Sequence, residues 1–243
     1  MKKRLDVLLV ERGLFESLAL AQAAVMEGRV LVDEVKVEKA GHMFLENCEI
    51  RILGDDPEYV SRGGLKLEAA IEHFKIDVSE KTCLDVGAST GGFTDCLLQN
   101  GARKVVAVDV GKGQLHNKLM QDERVEVCDG VNARYLDRHE FDPEFDIITI
   151  DVSFISQRLV IPAIKGHLKS NGIIVALIKP QFEAEKENVG EGGIVRDESV
   201  RKEVVDRLVE FYNVNGFDVI GTIESPITGA EGNVEFLIAA SKK

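Results

Sequence analysis

The stretch C-L-D-V-G-A-S-T-G-G-F, residues 83–93, sets the expected fold of this 243-residue chain. An apolar run leads to Asp85, glycines follow, and residues 94–100 then have the pattern of a helix that ends before Gly101. A strand, a glycine turn and a helix together point backbone N–H groups towards an anionic ligand. The same glycines would also permit a plain tight turn between strand and helix, so the stretch alone leaves both interpretations open.

Two acidic strand ends downstream favour a cofactor site. The apolar run at residues 104–108 ends at Asp109, roughly 20 residues after the glycine turn, as expected of a ribose-binding carboxylate. Residues 124–127 predict a third strand that ends near Asp129. Ligands of open α/β sheets bind at the carboxyl ends of the strands, so these positions indicate one shared ligand edge.

The composition, with 44% hydrophobic and 30% charged residues, is that of an ordinary globular protein. No apolar run approaches the roughly 18 residues of a membrane span, and the N-terminus does not resemble a secretory signal. The four scattered cysteines form no C-x-x-C pair, which indicates reduced thiols in the cytoplasm and no metal site. The net charge of −12 argues against charge-driven nucleic-acid binding over the whole surface, but it permits a local basic face.

Residues 1–56 predict a small α+β domain ahead of the glycine stretch. Two short helices, the second over residues 18–26, precede three short strands at 30–32, 35–37 and 49–52. The segment 54–57 (G-D-D-P) has the composition of a linker. We therefore predict a linker at residues 57–62 and a larger domain at 63–243.

This small domain resembles the alpha-L RNA-binding motif found in a ribosomal small-subunit protein, pseudouridine synthases and tyrosyl-tRNA synthetases. The matching stretches are 4–6 (R-L-D), 21–24 (A-Q-A-A) and 27–33 (E-G-R-V-L-V-D). The resemblance implies RNA binding through phosphate contacts, whereas a protein-docking module with solvated charges is the alternative. The candidate phosphate contacts are Lys2, Lys3, Arg4, Arg12 and Arg29.

The larger domain alternates strands and helices from residue 82 onward, which predicts an α/β fold with a parallel sheet. Only the short segment 225–233 joins its last two predicted strands, whereas a parallel crossover needs a dozen or more residues. We therefore predict a seven-stranded sheet whose last strand is antiparallel. Beyond the glycine stretch, the predicted strands are 145–150, 173–178, 217–223 and 234–240, the predicted helices are 159–169 and 198–215, and a loop covers 183–197.

Four ionisable residues should converge at the carboxyl edge of this sheet. Asp151 and Lys179 follow parallel strands, and Glu235 lies near the start of the antiparallel strand. Lys66 lies in the first turn of a helix predicted to begin near Gly63, and that helix leads into the first strand. A surface lysine, a simple salt bridge or a solvated carboxylate would be the plainer interpretation of each. Because Lys179 follows six apolar residues, we consider it a candidate general base.

The larger domain resembles the FtsJ-type ribose 2′-O-methyltransferases, and the whole chain resembles the TlyA family of bacterial rRNA 2′-O-methyltransferases, also called hemolysins. The resemblance implies a Rossmann-like class I methyltransferase fold and a cytoplasmic enzyme that acts on ribosomal RNA or ribosomal subunits. The family's Lys-Asp-Lys-Glu catalytic tetrad falls on Lys66, Asp151, Lys179 and Glu235. The stretches that carry the resemblance are 59–67 (Y-V-S-R-G-G-L-K-L), 84–94 (L-D-V-G-A-S-T-G-G-F-T), 151–156 (D-V-S-F-I-S), 177–183 (L-I-K-P-Q-F-E), and 225–227 (S-P-I) with 232–235 (G-N-V-E).

The resemblance also implies S-adenosylmethionine as the cofactor. Its methionine part would lie against the glycine loop, its ribose hydroxyls against Asp109 and its adenine amino group against Asp129. The implied cofactor residues are Gly87, Ala88, Ser89, Thr90, Gly91, Gly92, Phe93, Asp109, Val110, Asp129, Gly130, Val131 and Asn132.

Three other functions remain open from the sequence. The protein could be a non-catalytic RNA-binding or ribosome-assembly factor that keeps the cofactor pocket. It could be a membrane-active hemolysin, although the absence of a span or signal disfavours a pore. It could methylate a small molecule, but the N-terminal domain would then have no evident role.

Overall fold

The computed structural model describes residues 2–53, 58–139, 141, 144–229 and 231–243. The chain forms two compact units, Met1–Glu58 and Tyr59–Lys243. The predicted linker segment 54–57 lies outside the described residues, as does Ala230 in the predicted connection before the last strand. The predicted domain bounds therefore stay a prediction.

The first unit combines two helices with two small antiparallel sheets. A three-stranded sheet has the order β3-β2-β5, and β1 pairs with β4 in a separate ribbon. The helix α2 begins where the Ser17 side chain accepts a hydrogen bond from the Leu20 N–H. The elements are β1 (Lys2–Arg4), α1 (Leu5–Glu11), α2 (Leu18–Met26), β2 (Val30–Val32), β3 (Val35–Lys36), β4 (Met43–Leu45) and β5 (Ile50–Ile52).

The second unit is a sheet with helices on both faces. Short 3-10 turns cover Ala133–Arg138, Lys165–His167, Lys186–Asn188 and Glu191–Gly193. The regular elements are α3 (Gly63–Phe74), β6 (Thr82–Val86), α4 (Gly92–Gln99), β7 (Lys104–Asp109), α5 (Asn117–Met120), β8 (Val125–Asp129), β9 (Phe145–Ile150), α6 (Gln157–Ile164), β10 (Leu168–Ile178), α7 (Pro180–Glu183), α8 (Glu198–Val214), β11 (Phe217–Glu224) and β12 (Phe236–Lys242).

The described residues of this unit form a seven-stranded sheet in the order β11-β12-β10-β9-β6-β7-β8. Strands β10, β9, β6, β7 and β8 run parallel, whereas β12 is antiparallel to both of its neighbours. The predicted fold class is therefore confirmed. Along β10, Ile174 and Ala176 face one apolar layer while Val175 and Leu177 face the other, because successive side chains of a strand point to opposite faces.

The start of β10 differs from the prediction. Residues 168 and 169 were expected to end a helix, but Leu168 pairs with Phe145 of β9 and is buried. The pairing then shifts before Ile173, and Asn171 adopts φ 61°. An irregular strand start with a polar insertion lacks the period-two alternation of a strand, so its sequence pattern does not distinguish it from a helix end.

Candidate active site

Four ionisable side chains from four elements line one cavity of about 640 Å³ in the second unit. Lys66 lies in the first turn of α3, and Asp151 directly follows β9. Lys179 directly follows β10, and Glu235 directly precedes β12. The antiparallel direction of β12 brings Glu235 to the edge where β9 and β10 end, so the structure brings all four predicted residues together.

Lys66 and Glu235 form a buried ion pair. The Lys66 Nζ donates a hydrogen bond to Glu235 Oε2 at 2.5 Å, and the two side chains are only 11% and 3% exposed. A Cβ atom at Gly229 would lie 2.5 Å from Glu235 Oε1, so the backbone there approaches the carboxylate closely. A buried charge is costly unless an opposite charge lies beside it, and Lys66 and Glu235 provide that partner for each other.

Lys179 and Asp151 form the second ion pair. The Lys179 Nζ lies 2.6 Å from Asp151 Oδ1 and donates a hydrogen bond to Ser153 Oγ at 2.9 Å. Asp151 Oδ1 is buried, and among the described residues the Lys179 ammonium group is the partner that offsets its charge. The Asp151 N–H donates to the Val86 carbonyl oxygen, which fixes the residue to the end of β6.

Asp85 lies buried beneath this cluster. Its carboxylate accepts hydrogen bonds from the hydroxyls of Thr94 at 2.7 Å and Thr149 at 2.9 Å. Burial raises the pKa of Asp85 to about 6, and the two threonine hydroxyls offset only part of that effect. The acidic residue of the glycine-loop stretch, Asp85, therefore lies in an environment that disfavours its ionised form.

Replacing Asp85 by asparagine is expected to change how stability depends on pH. Because the folded protein holds this proton more tightly than the unfolded chain between roughly pH 4 and pH 6, the contribution of Asp85 to stability falls as pH rises through that window. Between about pH 4.5 and about pH 7.5, the free energy of unfolding of the Asp85→Asn variant should therefore rise by about 2 kcal/mol relative to that of wild type. Urea unfolding of both proteins at the two pH values measures this difference, and an unchanged difference would contradict it.

The glycine loop after β6 lines the same cavity. Gly87 has φ +88°, and a Cβ atom there would lie 2.5 Å from the Asp151 carbonyl oxygen, so only glycine fits. Gly91 has φ +99°, but a Cβ atom there would meet Leu119, so this residue serves packing and does not line the cavity. The predicted loop residues that do line it are Gly87, Ala88, Ser89, Thr90, Gly92 and Phe93.

A second cavity of about 600 Å³ shares Gly87, Ser89 and Asp151 with the first. Asp109 stands at its wall, where its carboxylate accepts hydrogen bonds from the N–H groups of Ser89 at 2.8 Å and Gly111 at 2.7 Å. The predicted residues Val110, Val131 and Asn132 also line this second cavity.

Besides Gly91, two more predicted cofactor residues lie outside the lining of both cavities. The Asp129 carboxylate accepts a hydrogen bond from the Gly113 N–H at 2.7 Å. The Gly130 N–H donates to the Gly111 carbonyl oxygen, and neither Asp129 nor Gly130 lines a cavity. Both residues therefore bond to the backbone of segment 111–113, and their contact with an adenine group stays a prediction.

Sequence reasoning missed the aromatic residue at the mouth of the cavity. Phe154 is 90% exposed, adopts φ 63° and lines both cavities. Its ring centroid lies 5.1 Å from that of Phe182, which follows Lys179 on α7. A bulky residue at positive φ has a strained backbone, and such residues are concentrated at functional sites. The only sequence signal was its place directly after Asp151-Val152-Ser153.

In the first unit, basic residues predicted to contact phosphate lie in carboxylate ion pairs. Lys3 Nζ lies 2.7 Å from Glu11 Oε2, and Arg4 Nη2 lies 2.6 Å from Asp6 Oδ2. The Arg4 guanidinium lowers the pKa of the buried Asp6 to about 2. Lys2 is exposed on the same strand, β1.

The other two predicted phosphate contacts are also engaged within the unit. The Arg12 guanidinium donates to the carbonyl oxygens of Glu46 and Cys48. The Arg29 Nε donates to Glu27 Oε2 at 2.9 Å. Their role as phosphate contacts stays a prediction.

Two features of the described part of the chain bear on the wider functional classes. No helix there combines the length and apolar character that crossing a bilayer requires. No group of three or more His, Cys, Asp and Glu side chains within those residues could hold a metal ion. The expectation of a metal-free protein stays a prediction.

Comparison with known proteins agrees with this geometry. A family model described as FtsJ-like methyltransferase matches residues 59–242, and one described as S4 domain matches residues 3–50. YqxC of Bacillus subtilis, a candidate rRNA methyltransferase, is 49% identical over 98% of this chain and 85% of its own length. The 16S/23S rRNA (cytidine-2′-O)-methyltransferase TlyA of Mycobacterium tuberculosis is 40% identical over 98% of this chain and 89% of its own length.

A solved structure of a candidate hemolysin from Streptococcus thermophilus has a TM-score of 0.78 and 44% sequence identity, and the match covers 100% of this chain and 89% of that one. The resemblance inferred from the sequence is therefore confirmed. The chain belongs to the family of FtsJ-like methyltransferases and, with its S4 domain, to the TlyA family.

Proposed function

We propose that this protein transfers a methyl group from S-adenosylmethionine to a ribose 2′-hydroxyl of ribosomal RNA. The observation that carries the proposal is the pair of lysine–carboxylate ion pairs in a cavity lined by the glycine loop. The S4 domain supports an RNA substrate. The relative TlyA, which is named for 2′-O-methylation of rRNA, supports the position of transfer.

The residues of the second cavity fit S-adenosylmethionine. Val110, Val131 and Ile155 provide apolar walls for a flat base, and the Asp109 carboxylate, which has about four acceptor positions, can accept hydroxyl groups besides its two N–H donors. When bound, this cofactor supplies a methyl group on a positively charged sulfur. The Asp151 carboxylate lies where the two cavities meet and would favour a positive charge there.

The two ion pairs contain the groups that would remove the proton from the acceptor hydroxyl and position it. As a neutral amine, Lys179 Nζ would accept the proton of the ribose 2′-hydroxyl, and the ammonium group so formed would pair with Asp151, which holds it in place. Glu235 orients Lys66, whose ammonium group would contact the ribose or a neighbouring phosphate. Positioning the hydroxyl for in-line attack supplies much of the rate.

Phe154 offers a stacking surface for the base of the target nucleotide. Replacing it by alanine is expected to raise the KM for rRNA by roughly 10- to 100-fold, because stacking a base on an aromatic side chain contributes about 1–3 kcal/mol. The Kd for S-adenosylhomocysteine should change much less than this KM. Val214, 75% exposed at the end of α8, provides the control, and Val214→Ala should match wild type. Equal KM values for the two variants would contradict the stacking role.

The first unit is proposed to bind RNA phosphates through its basic residues. Lys3 and Arg4 already face carboxylates, so a phosphate would either share their remaining N–H donors or replace Glu11 or Asp6 as their partner. Such binding is expected to weaken steeply with salt, because it depends on neutralising phosphates.

Methyl transfer to purified rRNA tests the proposed function. Ribosomal RNA and ribosomal subunits from a strain that lacks this protein would be incubated with it and with methyl-tritiated S-adenosylmethionine. We expect label in rRNA at a linkage that resists alkali, because alkaline cleavage needs a free 2′-hydroxyl. Label on a base, or no label, would contradict the proposal.

The same preparation separates the alternative functions. Binding to subunits without transfer would indicate an assembly factor. Lysis of red cells by the pure protein, without RNA or cofactor, would indicate a hemolysin. Transfer to small molecules but not to RNA would indicate a different substrate class.

A further inference from the structure

The side-chain amide of Asn233 joins two distant segments of the second unit. Asn233 is 1% exposed, and its Oδ1 accepts a hydrogen bond from the Val195 N–H at 3.0 Å. Its Nδ2 donates to the Gly193 carbonyl oxygen at 2.9 Å. Because a backbone N–H can only donate and a carbonyl can only accept, these partners fix the orientation of the amide. The asparagine side chain thus offers one donor and one acceptor to this backbone, as the main chain of a neighbouring strand would.

The segment that Asn233 holds, residues 189–195, forms part of the wall of the main cavity, and we call it the strap. Val189 and Gly193 line the cavity, and Val195 is 1% exposed. Within the strap, the Gly190 N–H donates to the Ile194 carbonyl oxygen at 3.0 Å. Arg201 of α8 provides a second anchor, because its Nη1 donates to the Val195 carbonyl oxygen at 3.1 Å.

The strap lies on one side of the site only. Its lining residues border the cavity that contains Lys66 and Glu235 and do not border the second cavity, where Asp109 lies. Asn233 also stands two residues before Glu235, and its own carbonyl oxygen accepts from the Gly229 N–H at 2.9 Å. One short segment therefore supplies Glu235 and holds the facing wall.

We infer that Asn233 is a positioning residue that fixes the strap as the wall for the RNA acceptor, on the side of the site away from the cofactor. This inference rests on the proposed function. Without the amide, the buried Val195 N–H would lose its partner, and an unpaired buried donor favours states in which the strap opens to water. An open strap would weaken binding of the acceptor nucleotide while leaving the second cavity intact.

The test compares Asn233→Ala and Asn233→Ser with wild type in the full chain. Alanine removes both hydrogen bonds, whereas serine keeps one neutral hydroxyl group that can donate or accept, so serine should give the smaller effect. Exposed Asn188, one residue before the strap, gives the control variant Asn188→Ala. The measurements are kcat and KM for rRNA, the Kd of S-adenosylhomocysteine by calorimetry, melting temperature, and the rate of tryptic cleavage after Lys186 and Arg196, which flank the strap.

We expect Asn233→Ala to raise the KM for rRNA and the cleavage rate by about tenfold each, since one or two lost hydrogen bonds correspond to that factor. The Kd of S-adenosylhomocysteine should stay within about twofold, and Asn188→Ala should match wild type. If Asn233→Ala melts below the assay temperature, the same measurements on Asn233→Ser decide between the two results.

Three outcomes would overturn the inference or its basis, and they can be told apart. Wild-type KM and cleavage in an active Asn233 variant would overturn the inference alone. An equal rise in KM for rRNA and in the Kd of S-adenosylhomocysteine would show that Asn233 supports the whole site and not the acceptor side. A wild-type protein that methylates no rRNA would overturn the proposed function, whatever the cleavage pattern.

Discussion

Replacing Lys179 by methionine is expected to lower methyl transfer to rRNA by at least about 100-fold, the lower range for removing a general base. Methionine approximates the length of the lysine stem but provides no amine next to Asp151, from which Nζ lies 2.6 Å. The Kd of S-adenosylhomocysteine should stay within a few-fold, because the amine acts at the acceptor oxygen. Single-turnover transfer rates at saturating rRNA measure the effect.

The chain offers a matched control for this variant at the other end of the same two strands. Lys169 lies near the start of β10, and its Nζ lies 2.8 Å from Asp146 Oδ1 near the start of β9. Lys169→Met removes the same kind of ion pair but borders neither cavity. It should keep the wild-type transfer rate. A Lys179→Met protein that transfers as fast as Lys169→Met would remove Lys179 from the chemistry.

The topology could be predicted because one short connection allowed only one arrangement. The few residues between the last two strands exclude a parallel crossover, and an antiparallel last strand must start where the parallel strands end. That argument alone placed Glu235 near Asp151 and Lys179, and the structure has all three around one cavity. The edge of the sheet at which a residue lies depends on strand order and direction, and sequence patterns can predict both.

Only part of the pairing within the cluster could be predicted. The strand ends favoured a contact between Lys179 and Asp151, whereas the lysine that Glu235 meets depends on side-chain placement at the ångström scale, and the sequence left it open. The contact of Asn233 with Gly193 and Val195 spans about 40 residues and arises from a glycine-rich loop without periodicity. The strand Lys2–Arg4 was missed because three charged residues give no strand pattern, although they pair with Met43–Leu45.

Removing one partner of the buried Lys66–Glu235 pair is expected to destabilise the protein by about 3–5 kcal/mol. Glu235→Leu leaves the Lys66 ammonium, 11% exposed, without its carboxylate, and Lys66→Met leaves the carboxylate, 3% exposed, without its cation. In both variants a buried charge loses the interaction that offsets its desolvation. Urea unfolding monitored by circular dichroism measures the free energy of unfolding for each variant.

The double variant Lys66→Met/Glu235→Leu separates the structural role of this pair from its role in the reaction. With both charges gone, the site holds two apolar side chains of similar size, so the free energy of unfolding should return to within about 2 kcal/mol of wild type. Methyl transfer should nevertheless stay at least about tenfold below wild type, because removing a hydrogen bond to a charged group costs about 1.5–3 kcal/mol in the transition state.

The two measurements together decide what the pair is for. A double variant that recovers both stability and transfer would make Lys66 and Glu235 a structural ion pair, and the reaction would then need only Lys179 and Asp151. A double variant that stays as unstable as the single ones would mean that the apolar side chains do not fill the space the pair occupied. Recovery of stability without transfer is the expected result, since Lys66 and Lys179 line the same cavity and the acceptor ribose would lie between them.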